Sequence, residues 1–173
     1  LNINGNIATA NTSSFWAGTG GIINLNSILG NGGAGGALLK IGPGALNVTV
    51  NQPAYTGAVT VNAGTLKVSG SGTKLGTTGA VTVTSTGTLV LDDTGTATAN
   101  RLGGRALTLQ GGTFSYIGNS GTSAESVGNL TISRPGGTFI ANNGGGTSAI
   151  TFASLGGTAN AVGGDASLSF QSV

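Results

Sequence analysis

Over most of its length the chain alternates apolar and small polar residues in paired bursts separated by glycine. The clearest burst is residues 55–68, YTGAVTVNAGTLKV: Val59 and Val61 flank Thr60, Gly64 breaks the run, and Leu66 and Val68 flank Lys67. Alternation of this kind is the period of a strand with one buried face. The two-part motif therefore predicts two short strands joined at a corner, with glycine tolerating the backbone conformation and close approach that a corner demands.

The motif recurs. Residues 39–48, LKIGPGALNV, align with 59–68 at an offset of 20 (59 − 39), placing Leu39 on Val59, Ile41 on Val61, Leu46 on Leu66 and Val48 on Val68. Residues 81–91 come next at 22 (81 − 59), with one residue inserted before Gly87. Residues 107–116 lie at 26 (107 − 81), and 130–141 at 23 (130 − 107), keeping Phe114 and Phe139 in register. Ile150 to Phe152 and Leu168 to Phe170 read as degraded copies, and Leu1 to Ile3 and Ile23 to Leu25 as first halves alone. Such a period is that of one coil of a β-solenoid. An antiparallel sandwich or barrel also uses short strands and glycine turns, but a two-part motif at regular spacing favours coils stacked in parallel. The expectation is an all-β, parallel β-helix with little or no helix, one domain over residues 1–173, with about seven or eight coils at roughly 4.8 Å each. A threonine row (Thr60, Thr82, Thr108, Thr131, Thr151) should stack on one face, as an ice-binding array or as ordinary solenoid surface.

Two longer intervals interrupt the rhythm, residues 92–104 (DDTGTATANRLGG) and 118–128 (GNSGTSAESVG). Both are polar and glycine-rich and are expected to leave the rod as loops, where recognition tends to sit on a rigid scaffold. Asp92, Asp93, Arg101, Arg105 and Glu125 are accordingly the candidate partner-binding residues.

Composition narrows the class. Thirty-five glycines without a triplet period exclude collagen, and 38% hydrophobic residues with mean hydropathy +0.25 exclude a disordered linker. Charged residues are 6% of the chain, so its surface must be built from hydroxyls and amides. The net charge of +2 comes from dispersed residues (Lys40, Lys67, Lys74, Arg101, Arg105, Arg134), not from the clustered patch of a nucleic-acid binder. There is no cysteine for disulfides or thiolate metal sites, and no apolar run of membrane-spanning length. These traits fit exported bacterial surface proteins. The start at Leu1, without Met or a signal-peptide pattern, suggests a processed product or a piece of something longer.

Candidate chemistry is sparse. Without histidine, neither a Ser-His-Asp arrangement nor a histidine metal site is possible. The acids are Asp92, Asp93, Glu125 and Asp165. Asp92 and Asp93 are adjacent and should point to opposite faces of a strand. With Arg101 and Arg105 they are the one cluster that could imitate the calcium-and-arginine site of solenoid enzymes acting on acidic polysaccharides, but calcium wants more oxygen ligands than two carboxylates. The run GNGGAGG at residues 30–36 lacks the lysine of a phosphate loop. No catalytic, metal or cofactor residue is assigned. Phe15 and Trp16 are consecutive, and Trp16 is read as closing an end of the core in preference to stacking on a sugar.

Asn51, then Tyr55-Thr56-Gly57, Val59, Val61, Asn62-Ala63-Gly64-Thr65-Leu66 and Val68, resembles the autotransporter-associated β-strand repeat, which typically reads N-x-Y-x-G-x-T-x-Φ-x-x-G-T-L-x-Φ. One copy is close, and about four more keep only Φ-x-Φ and then G-T-Φ. Residues 102–155 also resemble the segment C-terminal to such repeats in proteins of that family. The asparagine lies four residues before Tyr55 where the repeat has two, Ala58 precedes Val59, and these residues include no translocator barrel. The resemblance implies a right-handed parallel β-helix outside the bacterial cell.

The leading expectation is a structural role: a building block of an extracellular stalk, filament or surface layer. Strand-like ends without capping helices would associate through Leu1, Ile3, Leu168 and Phe170 with other copies or with flanking coils. The alternative is an adhesin reading surface glycans through residues 92–104 and 118–128, and a polysaccharide-degrading enzyme comes last. Nucleic acid and a membrane span are not expected partners.

Overall fold

A computed structural model describes residues 1–8, 10–30, 36–157 and 167–173. Asp165 and most of the glycine run (31–35) lie outside the described residues. The first coils carry short strands: β1 (Asn2–Ile3), β2 (Ile7–Ala8), β3 (Ser13–Trp16), β4 (Ile22–Leu25), β5 (Leu29–Gly30), β6 (Leu38–Ile41) and β7 (Ala45–Val48). From there the strands lengthen and bend through their corners: β8 (Val59–Ser69), β9 (Val81–Asp92), β10 (Leu107–Gln110), β11 (Thr113–Ile117), β12 (Thr122–Ser133), β13 (Gly136–Asn142), β14 (Thr147–Gly157) and β15 (Ser167–Ser172). All their strand pairings are parallel, and there is no helix among the described residues. The chain is a β-solenoid of about six turns, slightly fewer than the seven or eight expected.

The registers show why the alternation specifies this stack. On the first face, Ser13, Leu38, Val59, Val81, Leu107, Leu130 and Leu155 lie one above another. On the second, Leu46, Leu66, Leu89, Phe114, Phe139 and Phe170 form an inward column, joined by Val48, Val68, Leu91, Tyr116 and Ala141 two residues further on. From Phe114 the column becomes aromatic: Phe114 and Phe139 centroids are 5.4 Å apart, Phe139 and Phe170 are 5.6 Å apart, and Phe152 meets Phe139 edge-on at 6.1 Å. Stacked offset and edge contacts of this kind add to the area each ring buries. Between the two faces the chain turns at Gly64, with φ +67°, and Gly87 lies on it in the next coil. A Cβ at position 64 would collide with the carbonyl oxygens of Gly42 and Gly44 in the coil before, so only glycine lets successive corners nest.

Outward positions make polar ladders. Thr60, Thr82, Thr108 and Thr131 stack as expected, but Thr151 does not join them; it pairs with Ser126 on the third face. A second threonine row (Thr65, Thr88, Thr113, Thr138) runs beside the aromatic column. Asn24 donates its side-chain amide to Asn2 at 2.8 Å, and Asn47 donates to Asn24 at 2.9 Å.

Three parts of the alignment shift. In β6 the partner of Val59 is Leu38 and that of Val61 is Lys40, so Leu39 and Ile41 point outward and a lysine points in. Two leucines in sequence left that strand's face ambiguous, and a one-residue slip exchanges the faces of every side chain. At the start, Ile3 stacks on Leu25 and Leu25 on Val48, which makes these second halves; the first-half partner of Leu38 is Ser13. Near the end, Ile150 and Phe152 lie over Glu125 and Val127, and Leu155 takes the first-face position. Residues 118–128 do not leave the rod, for most of them belong to β12.

Leu89 is fully buried between Leu66 and Phe114. Leu89→Ala should lower unfolding stability by about 2–5 kcal/mol, whereas Thr88→Ala on the outward ladder should change it by no more than about 1 kcal/mol; urea denaturation of the two variants measures the difference.

Candidate functional site

The third face carries the polar interior of the molecule. Between β5 and β12 no strand runs along this side among the described residues, so the main chain there lacks a continuous ladder. Buried main-chain donors and acceptors must still be paired. Side chains do it. Gln52, fully buried, accepts from the Leu29 amide at 2.6 Å and donates to the Ser27 and Val50 carbonyls at 3.0 and 2.8 Å. Glu125 plays the same part lower in the stack, accepting from the Arg101 and Leu102 amides at 2.7 and 2.9 Å.

All five charged residues expected on partner-facing loops are buried here, a correction to their reading as loop side chains offered to a partner or as solvated turn residues. Asp93 and Arg101 come together: Arg101 Nε donates to Asp93 Oδ1 at 2.6 Å, with both side chains closed to solvent. The guanidinium also donates from Nη1 to the Gly70 and Thr73 carbonyls (2.8 and 3.2 Å) and from Nη2 to the Thr96 carbonyl (2.9 Å). The Thr98 amide donates to Asp93 Oδ1 and the Tyr116 hydroxyl to Oδ2, at 3.1 and 2.9 Å. Arg105 stands apart from this group. Its Nη1 donates to the Gly57 and Gly79 carbonyls (2.7 and 3.3 Å), its Nη2 to the Tyr55 and Leu75 carbonyls (2.8 and 2.6 Å), and its plane sits 5.3 Å from the centre of the Tyr55 ring. Such a cation over an aromatic face is stabilising where water is excluded. Asp92 turns the other way from Asp93, as adjacent strand residues do, and pairs with the half-exposed Lys67 while Thr94 donates to its Oδ1. Of the interval 92–104, residues 94–97 are its continuous exposed stretch.

Burial sets the electrostatics. Desolvation raises the Glu125 carboxyl to about 7, opposed by the two main-chain donors. It lowers Arg105 to about 10 and raises Tyr55 to about 12, with the neighbouring guanidinium pulling Tyr55 back. The Tyr116 phenol is pushed up by burial and by its hydrogen bond to Asp93. Burial alone would raise Asp92, but Lys67 and Thr94 outweigh it and hold the carboxyl below its ordinary value.

Gln52, Tyr55 and Tyr116 belong to this polar interior, and Lys40 is buried apart from it at the corner of Gly42 and Ala63; none of the four is marked as a buried polar site by pattern. Glu125 carried a signal, since Ser123, Glu125 and Val127 alternate inward as one strand. Among the described residues no three or more acids gather as a cation site. Most of its donors and acceptors are committed to the main chain or to one another, so the network ties coils together, while the Arg105 Nε donates to no group among the described residues. No described helix is long and apolar enough to cross a membrane. Comparison with protein-family models, curated proteins and solved structures finds no match to the chain.

Glu125 holds its proton more tightly folded than unfolded, so its contribution to stability is full below about pH 4.5 and is lost as pH rises towards about 7. That loss is of order 3 kcal/mol, about 1.4 kcal/mol for each tenfold change in proton affinity. Asp92 acts in the opposite sense, its contribution vanishing as pH falls through the ordinary carboxylate range. Denaturation from pH 4 to 8 should therefore show stability falling between about 4.5 and 7, and Glu125→Gln should flatten that slope. Asp93→Asn leaves the Arg101 charge buried without its anion and should destabilise by about 3–5 kcal/mol at neutral pH, read from the urea midpoint.

Proposed function

We propose that the chain is a structural segment of an extracellular β-helical stalk, filament or surface layer, whose end rungs are covered by further coils of the same chain or by a second copy. The observation that carries this reading is the open aromatic column. It runs buried from Leu46 to Phe139 and ends on Phe170, which is 67% exposed, beside Leu155 at 70%. At the other end Leu1 is 77% exposed; Ile3 there, and Leu168 at the Phe170 end, pack partly against the core. β14 and β15 each pair on one side only, as do β1 and β3. Uncovered ladder edges with apolar side chains are surfaces that proteins cover.

Two further observations support it. The outer faces are rows of threonine and asparagine, while most of the few charges lie inside, which suits a neutral building unit. The likeness of residues 51–68 to the autotransporter-associated repeat points to the bacterial cell exterior. The adhesin reading through residues 92–104 and 118–128 loses its charged side chains to the interior, and residues 94–97 carry none. The enzyme reading loses its cluster, because Asp93 and Arg101 are committed to each other and to the backbone.

Sedimentation velocity across a concentration series tests the proposal. The expected result is mass growing beyond the monomer, with amides of β14 and β15 becoming protected from exchange as it grows. The pair Leu155→Asp and Phe170→Asp should abolish the growth with little change in unfolding midpoint. A chain that stays monomeric at high concentration with its end-rung amides already protected would sink the reading.

A further inference from the structure

Trp16 does not close the core. Phe15 points inward and is buried, whereas Trp16 lies on the outer side of β3 and is 65% exposed. The indole rests on a prepared bed. A Cβ on Gly18 would sit 3.2 Å from Cη2 at the benzo end, and one on Gly42 would sit 3.0 Å from both Cδ1 and Nε1 at the pyrrole end. Both positions are glycine, so the ring lies down along the rod with its remaining surface open to solvent. Among the described residues its N–H has no protein acceptor.

The bed is rigid. Gly42 holds φ +78°, and the buried Lys40 ammonium fixes that corner by donating to the carbonyls of Ile41, Gly42 and Ala63 at 2.9, 2.7 and 3.0 Å. The Gly44 amide donates to Ala17 and the Gly21 amide to Gly18, at 2.9 and 2.8 Å, locking the adjoining turns. A buried lysine with no carboxylate partner is a costly device in a core, and here its bonds brace the surface on which the indole lies. Around Trp16 the outward positions are Ser14 on the same strand, Ile41 and Leu39 on the next rung, and Thr60 and Asn62 on the one after. They run over two rungs, about 10 Å at the spacing of parallel strands. None is charged.

We infer that Trp16, with Ser14, Thr60 and Asn62, forms a binding platform for a neutral oligosaccharide of pyranose units. A pyranose ring presents an apolar C–H face and an edge of hydroxyls. The open indole with the half-buried Leu39 and Ile41 matches the face, and the indole N–H, the two hydroxyls and the Asn62 amide match the edge. Uncharged surroundings select neutral sugars over acidic ones. A single exposed aromatic amid polar positions is too small for a stable protein interface, so a sugar fits it better than a second protein chain. The site begins on β3, itself an end-rung strand, but uses outward side-chain atoms and not the strand's open ladder edge.

Trp16 is the chain's sole tryptophan, so emission excited on the red edge, beyond tyrosine absorption, reads this site alone. The full chain is titrated with cellohexaose, maltohexaose, xylohexaose and chitohexaose while emission and acrylamide quenching are monitored, with hexagalacturonate as the acidic control. The expected result is a blue shift and at least about twofold protection from quenching with one or more neutral sugars and none with hexagalacturonate. Calorimetry with the responding sugar should show binding at least about tenfold weaker in Trp16→Ala, whose unfolding midpoint stays unchanged because the ring is outside the core, and an intermediate loss in Asn62→Ala. No response to any neutral hexasaccharide at about 10 mM, a concentration that would detect even millimolar affinity, overturns the inference. So does protection that appears only with rising protein concentration, which would make Trp16 a contact between copies.

Discussion

Every buried main-chain amide and carbonyl of a coil must find a partner, because an unpaired polar group shut away from water costs about as much as a lost hydrogen bond. On two faces of this molecule the parallel ladders meet that demand. On the third they lapse, and buried Gln52, Arg101, Arg105 and Glu125 stand in for missing strand neighbours. The demand explains an otherwise odd distribution: a chain with 6% charged residues places most of its acids and several of its bases inside. Asp93 then neutralises Arg101, while Arg105 is held by carbonyl dipoles and the Tyr55 ring. The whole arrangement is a scaffold feature, and that leaves the outer surface free of strong fields.

Much of the fold was legible in the alternation. Copies beginning at Val59, Val81, Leu107 and Leu130 align in space as they do in sequence, down to the inserted residue that appears as a register shift between Val61 and Ala63. Legibility failed where the pattern was degenerate. Leu38 and Leu39 are equally apolar, and the choice between them is settled by stacking on Ser13 and Val59, neighbours that a local reading does not weigh. It failed also where polar residues face inward. The interval 118–128 looked like a loop because hydroxyls, glycine and a carboxylate dominate it, yet Ser123, Glu125 and Val127 keep the alternation of a strand. Hydrophobicity marks a core position only when the backbone there needs nothing from the side chain.

Trp16 shows the opposite failure. Trp16, next to Phe15, reads as closing an end of the core, and what places it outside is the parity of its strand, with Phe15 taking the inward turn. The glycines that make room for it are two among thirty-five, so nothing in the sequence distinguishes them from corner glycines. The outer surface is thus mostly repetitive hydroxyls and amides, with one preformed aromatic ledge near one end. The ladder edges of the end rungs and the outward face of Trp16 are made of different atoms, although β3 contributes to both.

Arg105 has a consequence for how the rod comes apart. It belongs to the coil of Leu107, yet it holds Leu75 and Gly79 in the coil before and Tyr55 and Gly57 in the coil before that. Coils joined only by ladders can fray singly, each releasing its own row of hydrogen bonds. These three are tied further, because opening either neighbouring coil takes two of the four acceptors from a buried cation. The three middle coils are therefore coupled through one side chain, and fraying that reaches any of them must also break bonds to a buried cation.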